Sequence, residues 1–172
     1  MGSPTGYYGT MTSVVDEYSH GEDRPLGGYV GTMSVYAGLV GLLTLFARTR
    51  RRHLPSRLRW DDLVVGSVAT FRFARLLAKD TVTSPIRAPF TRFKGTSGPS
   101  ELEEDVRGTG ARKAVGELIT CPFCLAQWVA TLIAFGFLIA PRATRVFSYV
   151  VTIVAGADFL QLAYDAAEPD PG

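Results

Sequence analysis

The stretch that decides the fold is LITCPFCLAQWVATLIAFGFLIAP, residues 118–141, which runs for 24 residues without a charged side chain. An α-helix that crosses the hydrocarbon core of a bilayer needs about 20 apolar residues. Two other blocks meet this length: residues 25–47 carry no charge over 23 residues, and residues 146–164 carry one charge, Asp158, over 19. The sequence therefore predicts an integral membrane protein with three firm spans.

The composition agrees with this class. The 172 residues are 47% hydrophobic and 20% charged, with two cysteines and a net charge of +2, and the mean hydropathy is +0.14. These values exclude a disordered chain, a disulfide scaffold and a strongly basic nucleic-acid binder. We expect the lipid bilayer as a partner, and neither nucleic acid nor a cofactor.

A fourth segment, LVVGSVATFRFARLLA (residues 63–78), is apolar for nine residues and then carries Arg72 and Arg75. A central Arg costs about 2.5–3.5 kcal/mol on insertion scales, but an Arg near a helix end can extend to the interface. The segment is therefore either a short span or an interfacial helix. The expected fold is an all-α, polytopic transmembrane bundle with three firm spans and this fourth helix.

The orientation follows from six Arg and no acid in residues 48–59. Basic residues near spans favour the cytoplasm, so the N-terminus is expected outside. If residues 63–78 span, each side holds eight Lys and Arg; if they stay at the inner surface, fifteen lie inside and three outside. The rule favours three spans, whereas the hydrophobicity of the segment and the acidic C-terminal tail favour four.

The segment between residues 63–78 and the apolar block 118–141 is expected to be largely irregular. Residues 91–110 have the Gly and Ser content of a mobile loop, in which Ser100 and Glu103 predict a capping box for a short helix, ELEEDV. A second short helix is predicted over residues 111–119. Pro122 then restarts a helix with Cys121 at its cap.

Cys121-Pro122-Phe123-Cys124 is a CxxC motif with chemical content. Thiols three residues apart lie on the same side of a helix start, and glutaredoxin-type active sites use this spacing. Three interpretations stay open: tight packing of two small residues, dithiol redox exchange, and a metal site. A relay needs a further Cys pair, and a zinc site usually needs four ligands, which this chain alone does not supply because His20 and His53 are expected on opposite sides of the membrane.

Other polar residues divide into two sets. Asp158 shares a helix face with Gln161, and its expected partner is Arg72 or Arg75; the pair either docks two helices or serves a proton or ion relay. The segment 79–94 is predicted to contact anionic headgroups through its basic side chains, Arg87, Arg92 and Lys94.

Small residues repeat every four positions in two of the apolar blocks, a pattern that lets helices approach closely. They are Ser148, Thr152 and Gly156 in the last block, and Gly27 with Gly31 and Ala37 with Gly41 in the first. The pattern predicts close helix packing, either within the chain or against a protein partner or a second copy. The expected function is thus a non-enzymatic subunit, assembly factor or anchor, and the alternative is a dithiol oxidoreductase or thiol sensor.

Three segments together resemble one bacterial membrane family, domain of unknown function 1360 (DUF1360). They are FRFARLLAKDTVTSPIRAPFTRF, ITCPFCLAQWVA and AGADFLQLAYDAAE, within residues 62–168. The resemblance implies a multi-pass protein of the bacterial inner membrane and no activity. Short family members begin with the equivalent of residues 63–78, which favours four spans. The chain then divides into a disordered tail (1–24), a first transmembrane helix (25–47), a membrane domain (48–165) and an acidic tail (166–172).

Overall fold

The computed structural model describes residues 17–20, 23–49 and 59–168. Its main elements follow one another along the chain as α1 (Leu26–Thr49), α2 (Trp60–Lys79), a 3-10 turn (Thr81–Thr83), α3 (Ser84–Arg87), β1 (Thr91–Gly98), β2 (Glu101–Val106), α4 (Gly110–Thr120), α5 (Pro122–Ile139) and α6 (Pro141–Ala167). Most of the predicted N-terminal tail, the Arg-rich residues 50–58 and the end of the acidic tail lie outside the described residues.

Three helices are long and apolar enough to cross a membrane: α1, α5 and α6. At 1.5 Å per residue they measure about 36, 27 and 40 Å. These coincide with the three long apolar blocks of the sequence, so the prediction of three helices of spanning length and composition is confirmed. Helix α2 has 20 residues, about 30 Å, but it is not one of the three because its apolar run is interrupted by charge.

Helix α2 lies at the centre of the bundle and packs on both α5 and α6. It runs antiparallel to α5: near the start of α2, Gly66 leaves room for Phe137 near the end of α5, whose ring would lie 3.3 Å from a Cβ at this glycine. The buried core consists of residues from all three helices, namely Ala69, Ala74, Val129, Ile133 and Val151.

Helix α6 folds back on α5 and runs in the same direction as α2. At one end of the bundle, Arg145 donates to both carboxylate oxygens of Asp62 at 2.8 Å. Further along, the Thr152 hydroxyl donates to the Val65 carbonyl at 3.1 Å, and Ser148 is fully buried. Two residues of the predicted small-residue repeat in α6 therefore lie within the bundle.

Helix α1 packs beside α4 and α5, and it runs parallel to α5. Near its start, Tyr29 donates a short hydrogen bond to Glu117 of α4. Two turns later, the Tyr36 hydroxyl lies 2.8 Å from the Thr131 hydroxyl and accepts a hydrogen bond from Gln127 at 2.7 Å. The contacts between α1 and the bundle are thus partly polar.

Between α2 and α5, residues 80–120 form a compact structure that we call the cap. Its centre is an antiparallel hairpin in which Thr91 pairs with Val106 and Gly98 with Glu101. The predicted mobile loop and the capping-box helix ELEEDV are therefore wrong, and the fold is mostly helical rather than all-α. Ser100 has a positive φ of 61° and sits in the turn between the strands instead of capping a helix.

The remaining part of the cap agrees with the predictions made from the sequence. Helix α4, Gly110–Thr120, confirms the short helix predicted over residues 111–119. Cys121 has extended backbone angles and caps α5, with Pro122 in the first turn, so the predicted restart of the helix is also confirmed.

Candidate functional site

A charged cluster lies where the ends of α2 and α6 meet the cap. The Arg72 side chain runs along α2 towards its end and donates to both oxygens of Asp80, at 3.3 and 2.9 Å. Its Nε also lies 2.5 Å from a carboxylate oxygen of Asp158 on α6, although the N–H direction does not give a hydrogen bond. Arg72 therefore links the end of α2 to α6, with Asp158 placed beside it.

The second arginine of α2 has a different partner. Arg75 donates to both oxygens of Glu101 at 2.5 and 2.9 Å, and this acid lies at the start of β2. The structure thus separates two arginines that the sequence offered as alternatives for Asp158. Arg72 contacts the carboxylate in α6, and Arg75 holds the hairpin against α2.

These residues line a cavity of about 710 Å³ between α2, α6 and the tip of the hairpin. Gln161 and Asp165 line the same cavity, as their spacing from Asp158 predicts. Phe71 and Phe159 form one wall, with ring centroids 6.2 Å apart and nearly parallel planes. The cavity is therefore amphipathic, since aromatic rings and paired charges both line it.

Arg87 does not contact lipid headgroups, so its predicted interfacial role is wrong. Its side chain is 0% exposed and pairs with Glu104, which is 6% exposed. The same guanidinium donates to the carbonyl oxygens of Leu77 at 2.9 Å and Asp80 at 3.1 Å. It satisfies acceptors at the C-terminal end of α2, where backbone carbonyls lack partners within the helix.

The other two residues of the predicted basic surface are exposed on the hairpin. Lys94 donates to Glu103 at 2.6 Å and lies 3.8 Å from Asp105, so acids of the neighbouring strand balance its charge. The hydrogen bond with Glu103 raises the pKa of Lys94 and lowers the pKa of Glu103. Arg92 remains available to the surroundings.

Cys121 and Cys124 lie at the start of α5, on the cap side of the bundle, and both thiols are free. The Cys124 backbone N–H donates to the Cys121 sulfur at 3.2 Å. One turn further along α5, Trp128 packs edge to face on Tyr36 of α1, with ring centroids 5.2 Å apart. Trp128 therefore packs α1 against α5.

Sequence reasoning missed the acidic partners in the cap. Asp80, Glu101 and Glu104 each receive an arginine, but they lie in segments that were predicted to be irregular or helical. A signal was present in β2, where Leu102, Glu104 and Val106 alternate with more exposed residues. This alternation is typical of a strand with one protected face.

Together these features define a class: a small, mostly helical protein with three helices long and apolar enough to cross a membrane, and a hairpin cap on the central helix. The chain belongs to the family described as protein of unknown function DUF1360, whose model matches residues 65–164. This match confirms the resemblance inferred from the three segments. It extends from α2 into α6, so α1 lies outside it.

Two bacterial proteins are similar to this chain. Sporulation protein YjcA of Bacillus subtilis strain 168 is 31% identical over 102 residues, which cover 58% of this chain and 86% of the relative. The UPF0713 protein YngL of the same strain is 27% identical over 112 residues, which cover 62% of this chain and 81% of the relative. No solved structure gives a significant match.

Proposed function

We propose that this chain is a non-enzymatic subunit or anchor of the bacterial cytoplasmic membrane, and that its α1 packs against a helix of a partner or of a second copy. One observation carries the proposal: the outer face of α1 carries four glycines that contact nothing in the bundle. A Cβ added at Gly27, Gly31, Gly38 or Gly41 would meet nothing within 4 Å. This face is thus open along the length of the helix.

The open glycines lie on one side of α1. At 100° per residue they fall within about 80° of the circumference, and Tyr29 and Tyr36, which contact the bundle, lie on the opposite side. In lipid, small residues favour helix association because they let two backbones approach closely. Glycine also destabilises a helix that packs against nothing. Close packing of a partner helix would offset this cost, and it would explain why the glycines lie on one face.

The topology we propose has four spans, with α2 as the fourth. Support comes from its position between α5 and α6 and from the Asp62–Arg145 pair, which sets the starts of α2 and α6 at one end of the bundle. With the Arg-rich residues 48–59 in the cytoplasm, both termini and the cap then lie outside.

Cross-linking in native membranes tests the association. In a chain carrying Cys121→Ser and Cys124→Ser, a cysteine at position 38 is expected to form a cross-linked species of higher mass. The matched control is Met33→Cys, since Met33 is 70% exposed on another face of α1. Added to the Gly38→Cys chain, Gly31→Leu on the same face of α1 should abolish the cross-link. A chain that stays monomeric, or that cross-links equally from position 33, would contradict the proposal.

A further inference from the structure

The two cysteines occupy positions that bring their sulfurs together. Cys121 is the residue that caps α5, with extended angles of φ −99° and ψ 107°. Cys124 lies three residues later, in the first turn, and its N–H donates to the Cys121 sulfur at 3.2 Å. The Cys121 side chain therefore folds back over the helix start, towards Cys124.

We propose that Cys121 and Cys124 form a reversible dithiol–disulfide pair that exchanges electrons with an external thiol–disulfide couple. Cβ atoms three residues apart in a helix are about 5–6 Å apart, and a disulfide needs about 3.5–4.5 Å. Because Cys121 lies just outside the helix with extended backbone angles, the helical spacing does not apply to it, and its sulfur already lies beside the first turn that carries Cys124.

A disulfide between these neighbours would be labile rather than structural. The ring it closes is very short, so it removes little entropy from the unfolded chain. An exposed or slightly strained disulfide is also more easily reduced than a buried one. Cys124 is exposed and Cys121 is partly exposed, so neither cysteine is enclosed in the core.

The exchange balances without any other group of the chain. The thiolate of one cysteine attacks a sulfur of the external disulfide, forms a mixed disulfide and releases the first external thiol. The second cysteine then attacks the chain's sulfur of that mixed disulfide and releases the second external thiol. The pair loses two electrons and two protons, and the external disulfide gains them.

The co-reactant has to come from another molecule, because the chain contains two cysteines in total. Among residues 17–20, 23–49 and 59–168, no third His, Cys, Asp or Glu joins the pair to form a group of metal ligands, which favours exchange over metal binding. Phe123, between the two cysteines, is 89% exposed and offers an apolar contact to an approaching molecule.

The test is a redox titration of the full-length chain in membrane vesicles opened to the buffer. Vesicles are equilibrated in mixtures of reduced and oxidised glutathione, and free thiols are counted by mass-tagged maleimide. We expect the wild-type chain to pass from two tags to none as one two-electron step, with an intramolecular disulfide in the peptide that contains both cysteines. Thr120→Ser, a neighbouring change that keeps both thiols, should titrate identically.

Two single variants make the result specific. Cys124→Ser and Cys121→Ser should each accept one glutathione and lose the two-electron step. A disulfide-linked protein trapped by either variant in untreated membranes would identify a protein as the co-reactant, and a glutathione adduct would identify the small thiol. A wild-type chain that keeps two tags at the oxidising end, or that takes up two glutathiones, would overturn the proposal. Because the α1 cross-linking uses a chain without these cysteines, the two proposals fail separately.

Discussion

Replacing Arg87 by methionine would test whether this one buried side chain joins the hairpin, through Glu104, to the end of α2, through the Leu77 carbonyl. The guanidinium is fully buried, pairs with Glu104, and donates to the Thr83 hydroxyl at 2.6 Å as well as to the carbonyls of Leu77 and Asp80. Arg87→Met keeps a long apolar stem but removes every one of these donors. A carboxylate and carbonyls at the end of a helix would then be left without them.

The expected effect is large because both members of the pair are buried. Removing one partner of a buried ion pair costs about 3–5 kcal/mol, since the other charge stays desolvated. If the cap opens as a unit, this corresponds to about a 100- to 4,000-fold rise in amide hydrogen exchange across β1 and β2. The double variant Arg87→Met, Glu104→Met should recover part of the loss, because it leaves no buried charge.

Hydrogen exchange of the purified chain, followed by mass spectrometry of peptides from the hairpin, gives the measurement. Lys94→Met is the control: its ion pair with Glu103 is half exposed, so exchange should change little. The reasoning would be refuted if Arg87→Met exchanged as slowly as the wild type. It would also be refuted if the double variant lost as much as the sum of the two single variants, since Arg87 and Glu104 would then be energetically independent.

Two further outcomes concern the thermal stability of the bundle and the hydrogen exchange of the hairpin. Gly136→Ala should lower the thermal stability of the bundle, because the new Cβ would lie 2.7 Å from the Thr144 hydroxyl, whereas Gly156→Ala meets nothing within 4 Å and should not. The hydrogen bond from Lys94 lowers the pKa of Glu103, so its small stabilising effect is present above the ordinary Glu pKa and is lost as the pH falls through the lowered value. The protection of the hairpin amides, measured relative to their intrinsic exchange rate at each pH, should therefore fall in acid, less so in Glu103→Gln, and a pH response of the protection unchanged by that variant would contradict the assignment.

The long helices could be predicted because their signal is local. A run of about 20 apolar residues favours one long helix of spanning length, whatever it packs against. The start of α5 was equally predictable, since Pro122 excludes Cys121 from the helix interior. In these places the chemistry of neighbouring residues decides the structure.

The hairpin could not be predicted in the same way, because its stabilising partner is distant. Ser100 and Glu103 have the spacing of a capping box, and β1 (TRFKGTSG) has the composition of a loop. What makes β2 a strand is the inward position of Glu104, which meets Arg87 17 residues earlier. An inward acid hides the apolar alternation unless its cation is already known.

The pairing of Arg72 in α2 with Asp158 could not be predicted either, because these two residues too are distant in the sequence. Arg72 made residues 63–78 ambiguous, since its cost in a bilayer depends on where the side chain ends. The structure gives it two carboxylates, one just beyond the helix and one on α6. From the sequence alone, either Arg72 or Arg75 could be the partner of Asp158. The choice depends on how α2 packs against α6, and a single sequence does not reveal that packing.

The position of Arg87 also has a consequence for the order in which the chain can assemble. The groups it joins, from Leu77 to Glu104, are complete in the growing chain before the first residue of α5 is made. The carbonyl groups at the end of α2 can thus be hydrogen-bonded by Arg87 as soon as the segment up to Glu104 has been synthesised. Helices α5 and α6 would then arrive at a finished template, and an error in the hairpin would be carried into the whole bundle.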